Sequence, residues 1–260
     1  MNKTRIKWCD MTWNPVTGCR HTAKECGVHN KCYARNQARR FIPNLIDNLK
    51  LDKKPISING NLVTSVNSTA AFMPLFWPHR LDQPQKIKTP KRVFVVSMGD
   101  LFGKWVPDEW ITSVFDACLD APQHIYYFLT KNPKRYKLDH GYPVTFFAGG
   151  KPYWFGFSAT GQKDFFVKLA ESPKGNFGNR FVSFEPLQSA IKIPSETEAY
   201  QAKKLNWLIV GAQTNPLKLP ERAWVISIRK QCKSLNIPLF EKDSLKPLDL
   251  PGELIQEWPE

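Results

Sequence analysis

From Arg92 onward the chain alternates short, unbroken apolar runs with amphipathic stretches, and this alternation limits the fold more than any other feature. "RVFVVSM", "HIYYFLT", "YWFGFSA", "RFVSFEPL", "NWLIVGA" and "IPLFEKD" are too short for buried helices. They are too continuously apolar for strands with one wet face, so they read as strands covered on both sides. Between them lie helix patterns. "PDEWITSVFDACLDA" has Pro107 at a first helical position and acids in its first turn. "NPKRYKL" reads as a short helix, and "GQKDFFVKLAES" and "ERAWVISIRKQCKSLN" as longer ones. The order is β-α-β-α, with spacings suited to crossovers, which predicts a parallel sheet.

Polar residues gather at the ends of these runs: Asp100, Thr130-Lys131, Ser158, Glu185, Gln213 and Lys242. An open doubly wound sheet concentrates its site at one switch point, whereas a barrel collects side chains from the C-terminal ends of many strands. No G-x-G-x-x-G and no G-x-x-x-x-G-K-[ST] is present. The expected fold is α/β, a complete or partial (β/α) barrel. It would form one domain over residues 1–260, with an irregular insertion at about 51–90 that holds Pro55, Pro74, Pro78, Pro84 and Pro90. A first strand-like stretch, "MTWNPVTG", stands well ahead of the others, and "CYARNQARRFIPNLIDNLK" after it reads as a helix.

Between those two stretches Cys19, Cys26 and Cys32 fall within fourteen positions, while Cys9, Cys118 and Cys232 are dispersed. Three is an awkward number, because disulfides take cysteines in pairs and structural zinc takes four ligands. The N-terminus has no apolar run fit for a signal peptide, and no stretch approaches the roughly 18 apolar residues of a membrane span. A cytoplasmic protein with reduced thiols is the expectation. Three thiolates can hold a [4Fe–4S] cluster whose fourth iron stays open. They can equally hold zinc with a water, or a closed Cys3His zinc in which His21 or His29 is the fourth ligand. Spacing alone does not choose between iron and zinc.

The chain carries 37 Lys+Arg against 23 Asp+Glu, a net charge of +14, which favours a polyanionic partner and nucleic acid first. The basic residues are scattered, so the fold has to assemble any binding surface. Phe76-Trp77 and His79-Arg80 have the mixed aromatic and basic character of such a surface. Lys131 and Arg135 are candidate contacts for a carboxylate or phosphate. Ser158 can bond a ribose or cap the following helix. Glu185, set between an apolar strand and a proline, needs a partner: ribose hydroxyls or Lys242.

The blocks "WNPVTGC", "CYAR", "RLDQP", "FVVSMGDLF", "FLTKNPKR", "FVSFEPL", "WLIVGAQT" and "PLFEKDSL", from about Trp8 to Leu245, resemble a phage- and prophage-associated family of unknown function. That family is in turn similar to radical S-adenosylmethionine enzymes. The resemblance implies a radical-SAM-like partial (β/α) barrel with its cysteine loop after the first strand, encoded by phage or prophage in a bacterial host. Cys19, Cys26 and Cys32 would hold a [4Fe–4S] cluster, and Tyr33 would be the aromatic beside the last ligand. Ser97, Met98 and Asp100 would line the methionine end of S-adenosylmethionine, whose reductive cleavage gives a 5′-deoxyadenosyl radical. The substrate would be nucleic acid, DNA more than RNA, for base modification or for lesion repair of the spore photoproduct lyase kind. One departure is plain: such loops run C-x3-C-x2-C, or C-x6-C-x2-C in this family, and here the spacing is C-x6-C-x5-C. The added residues, "GVHNK", keep His29 and zinc in play. A zinc-stabilised nucleic-acid-binding module without catalysis, and an interaction protein that works with a partner protein on a degenerate barrel, are the alternatives.

Overall fold

The computed structural model describes residues 1–26, 29, 32–40, 57–58, 61–62, 72–137, 152–173, 179–194 and 205–259. Its centre is an eight-stranded sheet. The strands are β1 (Asn2–Lys3), β2 (Met11–Trp13), β3 (Arg92–Val95), β4 (Ile125–Thr130), β5 (Tyr153–Ala159), β6 (Asn179–Phe184), β7 (Trp207–Val210) and β8 (Leu239–Glu241). They lie side by side in chain order. Only β1, at the edge, is antiparallel to its neighbour, and every pairing from β2 to β8 is parallel. The predicted parallel sheet is therefore observed, and each crossover steps the same way without a switch point.

One-way winding puts the crossover helices on one face. The main crossover helices are α2 (Asp108–Leu119), α3 (Gln162–Glu171) and α4 (Arg222–Leu235), with α1 (Tyr33–Arg40) after the cysteine loop. α2 buries Ile111, Val114, Phe115 and Cys118, one stripe at helical spacing. Phe115 packs on Phe128 of β4 at 5.0 Å between ring centroids, and Phe165 of α3 on Phe157 of β5 at 6.1 Å. On this face Glu241, fully buried on β8, takes two 2.7 Å bonds from Arg229 of α4.

The other face is concave. Tyr127 of β4 and Trp207 of β7 have ring centroids 5.5 Å apart. Strands three places apart in a flat sheet are separated by about 14 Å. The sheet must curl for those rings to meet. Trp8 fills the hollow, with its ring 4.7 Å from Phe94, 5.7 Å from Tyr127, 6.3 Å from Phe181 and 6.2 Å from Trp207.

No strand pairing joins the two edges of the sheet among the described residues, so it is an open, curled sheet rather than a closed barrel. Residues 255–257 return antiparallel beside β8, where Glu241 N–H donates to Ile255 O at 2.7 Å and Glu257 N–H to Leu239 O at 2.9 Å. From there the Trp258 indole donates to Trp8 O at 3.4 Å, and Lys7 pairs with Asp243 at 2.7 Å across the gap.

Two expectations need correction. "MTWNPVTG" is not one strand. Pro15 cannot donate to a ladder, so β2 stops at Trp13, and Val16–Thr17 turns away to pair with Leu75–Phe76. The stretch 51–90 is not wholly an irregular insertion either. Residues 57–58 and 61–62 form a short antiparallel pair, and the part from Phe72 is bound to the end of β2. Trp77 N–H donates to Pro15 O at 2.8 Å, and the Trp13 indole to Arg80 O at 2.7 Å. α1 is observed over Tyr33–Arg40, and the predicted continuation over 41–50 lies outside the described residues.

Candidate functional site

The cysteine loop leaves the C-terminal end of β2, and two neighbouring segments grip its first residues. Gly18 N–H donates to Met98 O at 2.9 Å and Cys19 N–H to Phe72 O at 3.1 Å. Only glycine fits at position 18. Its φ is +88°, and a Cβ there would lie 2.1 Å from Met73 O. Opposite it, β3 is followed by Val96 at φ +58°, a strained left-handed conformation for a β-branched residue. That turn delivers residues 97–100 to the loop, and Asn14 Oδ1 holds them by accepting from Ser97 Oγ at 3.3 Å and Met98 N–H at 2.9 Å.

Asp100 ties the loop to β4. Its Oδ1 accepts from Thr130 Oγ1 at 2.7 Å and Phe102 N–H at 3.1 Å. Its Oδ2 accepts from Lys131 N–H at 2.9 Å and lies 2.8 Å from His21 Nε2. Burial alone would raise the pKa of this carboxyl, but the His21 bond and the others outweigh it and hold the pKa below the ordinary range. His21 is itself buried. Its ring meets Trp105 edge-on at 4.8 Å, and its Nδ1 is buried without a hydrogen bond, 3.8 Å from Glu25 Oε2.

Lys131 follows β4 beside this loop, with its backbone N–H on Asp100. Desolvation works to lower the pKa of Lys131, but the Cys26, Asp100, Cys19 and Cys32 side chains together raise it. Among the described residues the Lys131 ammonium makes no hydrogen bond or ion pair. Cys26 is buried and Cys19 and Cys32 are half-buried, and burial pushes the Cys19 thiol up to about 12. All six cysteines are free. Among the described residues no three His, Cys, Asp or Glu side chains stand close enough to hold a metal ion as they are.

Residues 3–245 match the family described as "Protein of unknown function (DUF5131)". The chain belongs to the DUF5131 family. No curated protein and no solved structure matches it. The matched span takes in every residue of this site, from Asn14 and the cysteine loop to Lys242.

Further round the rim of the DUF5131 sheet, Glu185 after β6 and Lys242 after β8 form an ion pair over Gly211 after β7. A Cβ on Gly211 would lie 3.0 Å from Lys242 Cδ, so the glycine leaves the passage that the pair occupies. Of the two partners weighed for Glu185, the structure has Lys242, with both side chains partly exposed at 31% and 23%. Ser158 lies buried on the concave side of β5, level with Ser183 of β6. Its carbonyl, not its hydroxyl, takes the Lys168 ammonium at 2.7 Å.

Other candidates lie elsewhere. Tyr33 is 67% exposed on the first turn of α1, and its hydroxyl accepts from Gln37. Arg135 donates to Gly103 O and pairs with Asp108 at the start of α2, which uses its charge internally. Trp77 and Arg80 stack on each other, ring to guanidinium 4.4 Å, with Trp77 buried. His29 Nε2 lies 3.3 Å from Arg35 Nη2. Thr130 was picked out at its strand end, but Asn14 and the His21–Asp100 link were missed as parts of a framework. The signal for Asn14 and Thr130 was position, since one follows a strand and the other ends one.

Proposed function

We propose that this DUF5131 protein is a radical S-adenosylmethionine enzyme on a partial (β/α) barrel, acting on nucleic acid. The observation that carries the reading is the placement of the loop of Cys19, Cys26 and Cys32 after the first parallel strand of a one-way, curled sheet, where His21 and Asp100 tie it to Lys131 N–H. The donor chemistry fits a cluster held by three thiolates. Since the thiols do not yet converge on one point, the reading requires the loop to tighten as metal binding and folding couple. When bound, the cluster supplies the electron that cleaves the sulfonium of S-adenosylmethionine.

The chain's own residues have separate tasks in this reading. Lys131 offsets the thiolate charge and can meet the methionine carboxylate as a point charge. Asp100 keeps the loop fixed to β4, and Ser97 and Met98, held by Asn14, border the loop on its other side. The Glu185–Lys242 pair and Ser158 stand further along the same rim, where ribose hydroxyls would find them. Trp8 and its aromatic neighbours keep water out of the hollow beneath.

A zinc reading has one observation in its favour. The buried Nδ1 of His21 has no hydrogen-bond partner while a buried carboxylate holds the other ring nitrogen, as at many metal-ligating histidines. Anaerobic purification with iron, sulfide and zinc counted, and spectra taken with and without S-adenosylmethionine, separates the two. About four irons per chain and a reduced-cluster EPR signal that shifts with the cofactor are expected. Cys19→Ser, Cys26→Ser and Cys32→Ser should each lose that signal while Cys9→Ala keeps it. One zinc, no colour and no response to the cofactor would overturn the proposal.

A further inference from the structure

A cleft of about 910 Å³ opens where the two edges of the sheet approach each other. One wall is the segment from Lys3 to Met11 in β1, β2 and the turn between them; Asp243, just past β8, and Lys91, just before β3, complete it. Six charged residues line it: Lys3, Arg5, Lys7, Asp10, Lys91 and Asp243. Both acids are already neutralised. Asp10 takes the Arg92 guanidinium through both oxygens, at 2.8 and 3.2 Å, and Asp243 takes Lys7 at 2.7 Å. Among the described residues the side chains of Lys3, Arg5 and Lys91 have no hydrogen bond or ion pair. Three uncompensated cations therefore face one trough. Beside it the Trp258 ring lies 4.6 Å from the Arg92 guanidinium and is 37% exposed.

A row of free cations along an open trough, with an exposed aromatic at its border, matches what a sugar-phosphate backbone with stackable bases requires. The net charge of +14 brings such a polyanion to the surface, and this cleft offers it a track. We propose that the cleft between the sheet edges binds single-stranded nucleic acid, with Lys3, Arg5 and Lys91 on successive phosphates and Trp258 available to a base. The inference rests on the nucleic-acid half of the functional reading and not on the cluster, because binding here needs no metal.

The test is fluorescence anisotropy with a labelled single-stranded oligonucleotide across a salt series, on the protein as purified. K3Q/R5Q/K91Q removes the three contacts. At ~0.7 per single-strand contact, its slope of log affinity against log salt should fall by about 2, and its affinity at 0.1 M salt roughly 100-fold. K3R/R5K/K91R, which keeps the charges, should bind as the parent does. The control K163Q/K230Q/K233Q removes as many exposed cations from α3 and α4, and should change the affinity little. Equal weakening by the control would reduce the effect to net charge and overturn the site. A parent protein that does not bind the oligonucleotide overturns it too. Displacement by polyglutamate as readily as by unlabelled oligonucleotide would assign the cleft to acidic polypeptides instead. A protein that binds here yet carries zinc would refute only the cluster reading.

Discussion

Replacing Asp100 by Asn tests whether this carboxylate is the hub that the geometry implies. Four donors converge on its two oxygens: Thr130 Oγ1 and Phe102 N–H on one, Lys131 N–H and His21 Nε2 on the other. An amide keeps only one acceptor oxygen. If its nitrogen takes the Oδ1 position, Phe102 N–H is left without an acceptor, although the Thr130 hydroxyl can rotate. If it takes the Oδ2 position, Lys131 N–H is stranded, although His21 can change tautomer. Either way one buried backbone N–H is orphaned, which costs about 1–3 kcal/mol, and the surviving bonds lose their charge assistance. The expected loss is roughly 2–4 kcal/mol, read from urea denaturation or as a melting shift of ~2–4 °C per kcal/mol. Thr130→Val removes one of the four bonds together with the acceptor of Asn132 N–H, and should cost about 1–3 kcal/mol while leaving the His21 anchor in place. The pH dependence has a definite sign. The folded pKa of Asp100 is depressed, so its contribution is present above the unfolded value of about 3.9 and drains away as pH falls through the folded pKa. D100N should lack that acid limb. Freed from its anchor, the loop should also expose Cys19 and Cys26 to thiol reagents faster in D100N than in T130V. An unchanged midpoint in D100N, or thiols no more reactive in it than in T130V, would refute the hub.

Gly18→Ala should be severe, since the added Cβ meets the Met73 carbonyl at 2.1 Å with φ at +88°; destabilisation above about 2 kcal/mol and loss of bound metal are expected, by denaturation and metal analysis. Trp8→Ala empties the hollow of the curled sheet and should cost about 3–5 kcal/mol, with a cavity that an apolar probe such as xenon can enter. Glu241→Gln leaves Arg229 short of its carboxylate, for a loss of roughly 3 kcal/mol in a denaturation series. The double replacement E241M/R229M should recover part of that, because a removed pair leaves no stranded charge although Ile255 N–H loses its acceptor.

The parallel sheet was legible because burial on both faces forces continuous apolar runs, as in "RVFVV" and "NWLIV", and the alternation with amphipathic helices admits few topologies. Curl was not legible. It depends on Tyr127, Phe181 and Trp207 converging on Trp8, a residue far away in the chain and outside every strand. The rim was half legible. Strand-end polarity picked out Asp100, Lys131, Ser158, Glu185 and Lys242, and the Glu185–Lys242 pair is there. What those residues face was hidden, because it depends on which loop folds over them. Arg135 and Lys131 sit in one "TKNPKR" block, yet one is occupied by Asp108 and the other has no ion-pair partner among the described residues. Local composition cannot separate them. The difference arises from the short 3₁₀ turn at Pro133–Tyr136, which follows Lys131 and carries Arg135 to the start of α2.

The same comparison shows why the cations divide into two groups. A buried or half-buried cation in a stable fold is normally paired, as Arg229, Arg92 and Lys168 are, because an unpaired charge away from water is expensive. Lys131 breaks that pattern in a setting where four side chains still hold its charge on. Lys3 and Arg5 break no rule, since water solvates them, but they share a trough whose acids are already matched. The first exception calls for a negatively charged group at the cysteine loop. The second calls for a mobile polyanion at the surface. They are separate demands, met by different ligands, and each can fail in experiment without the other.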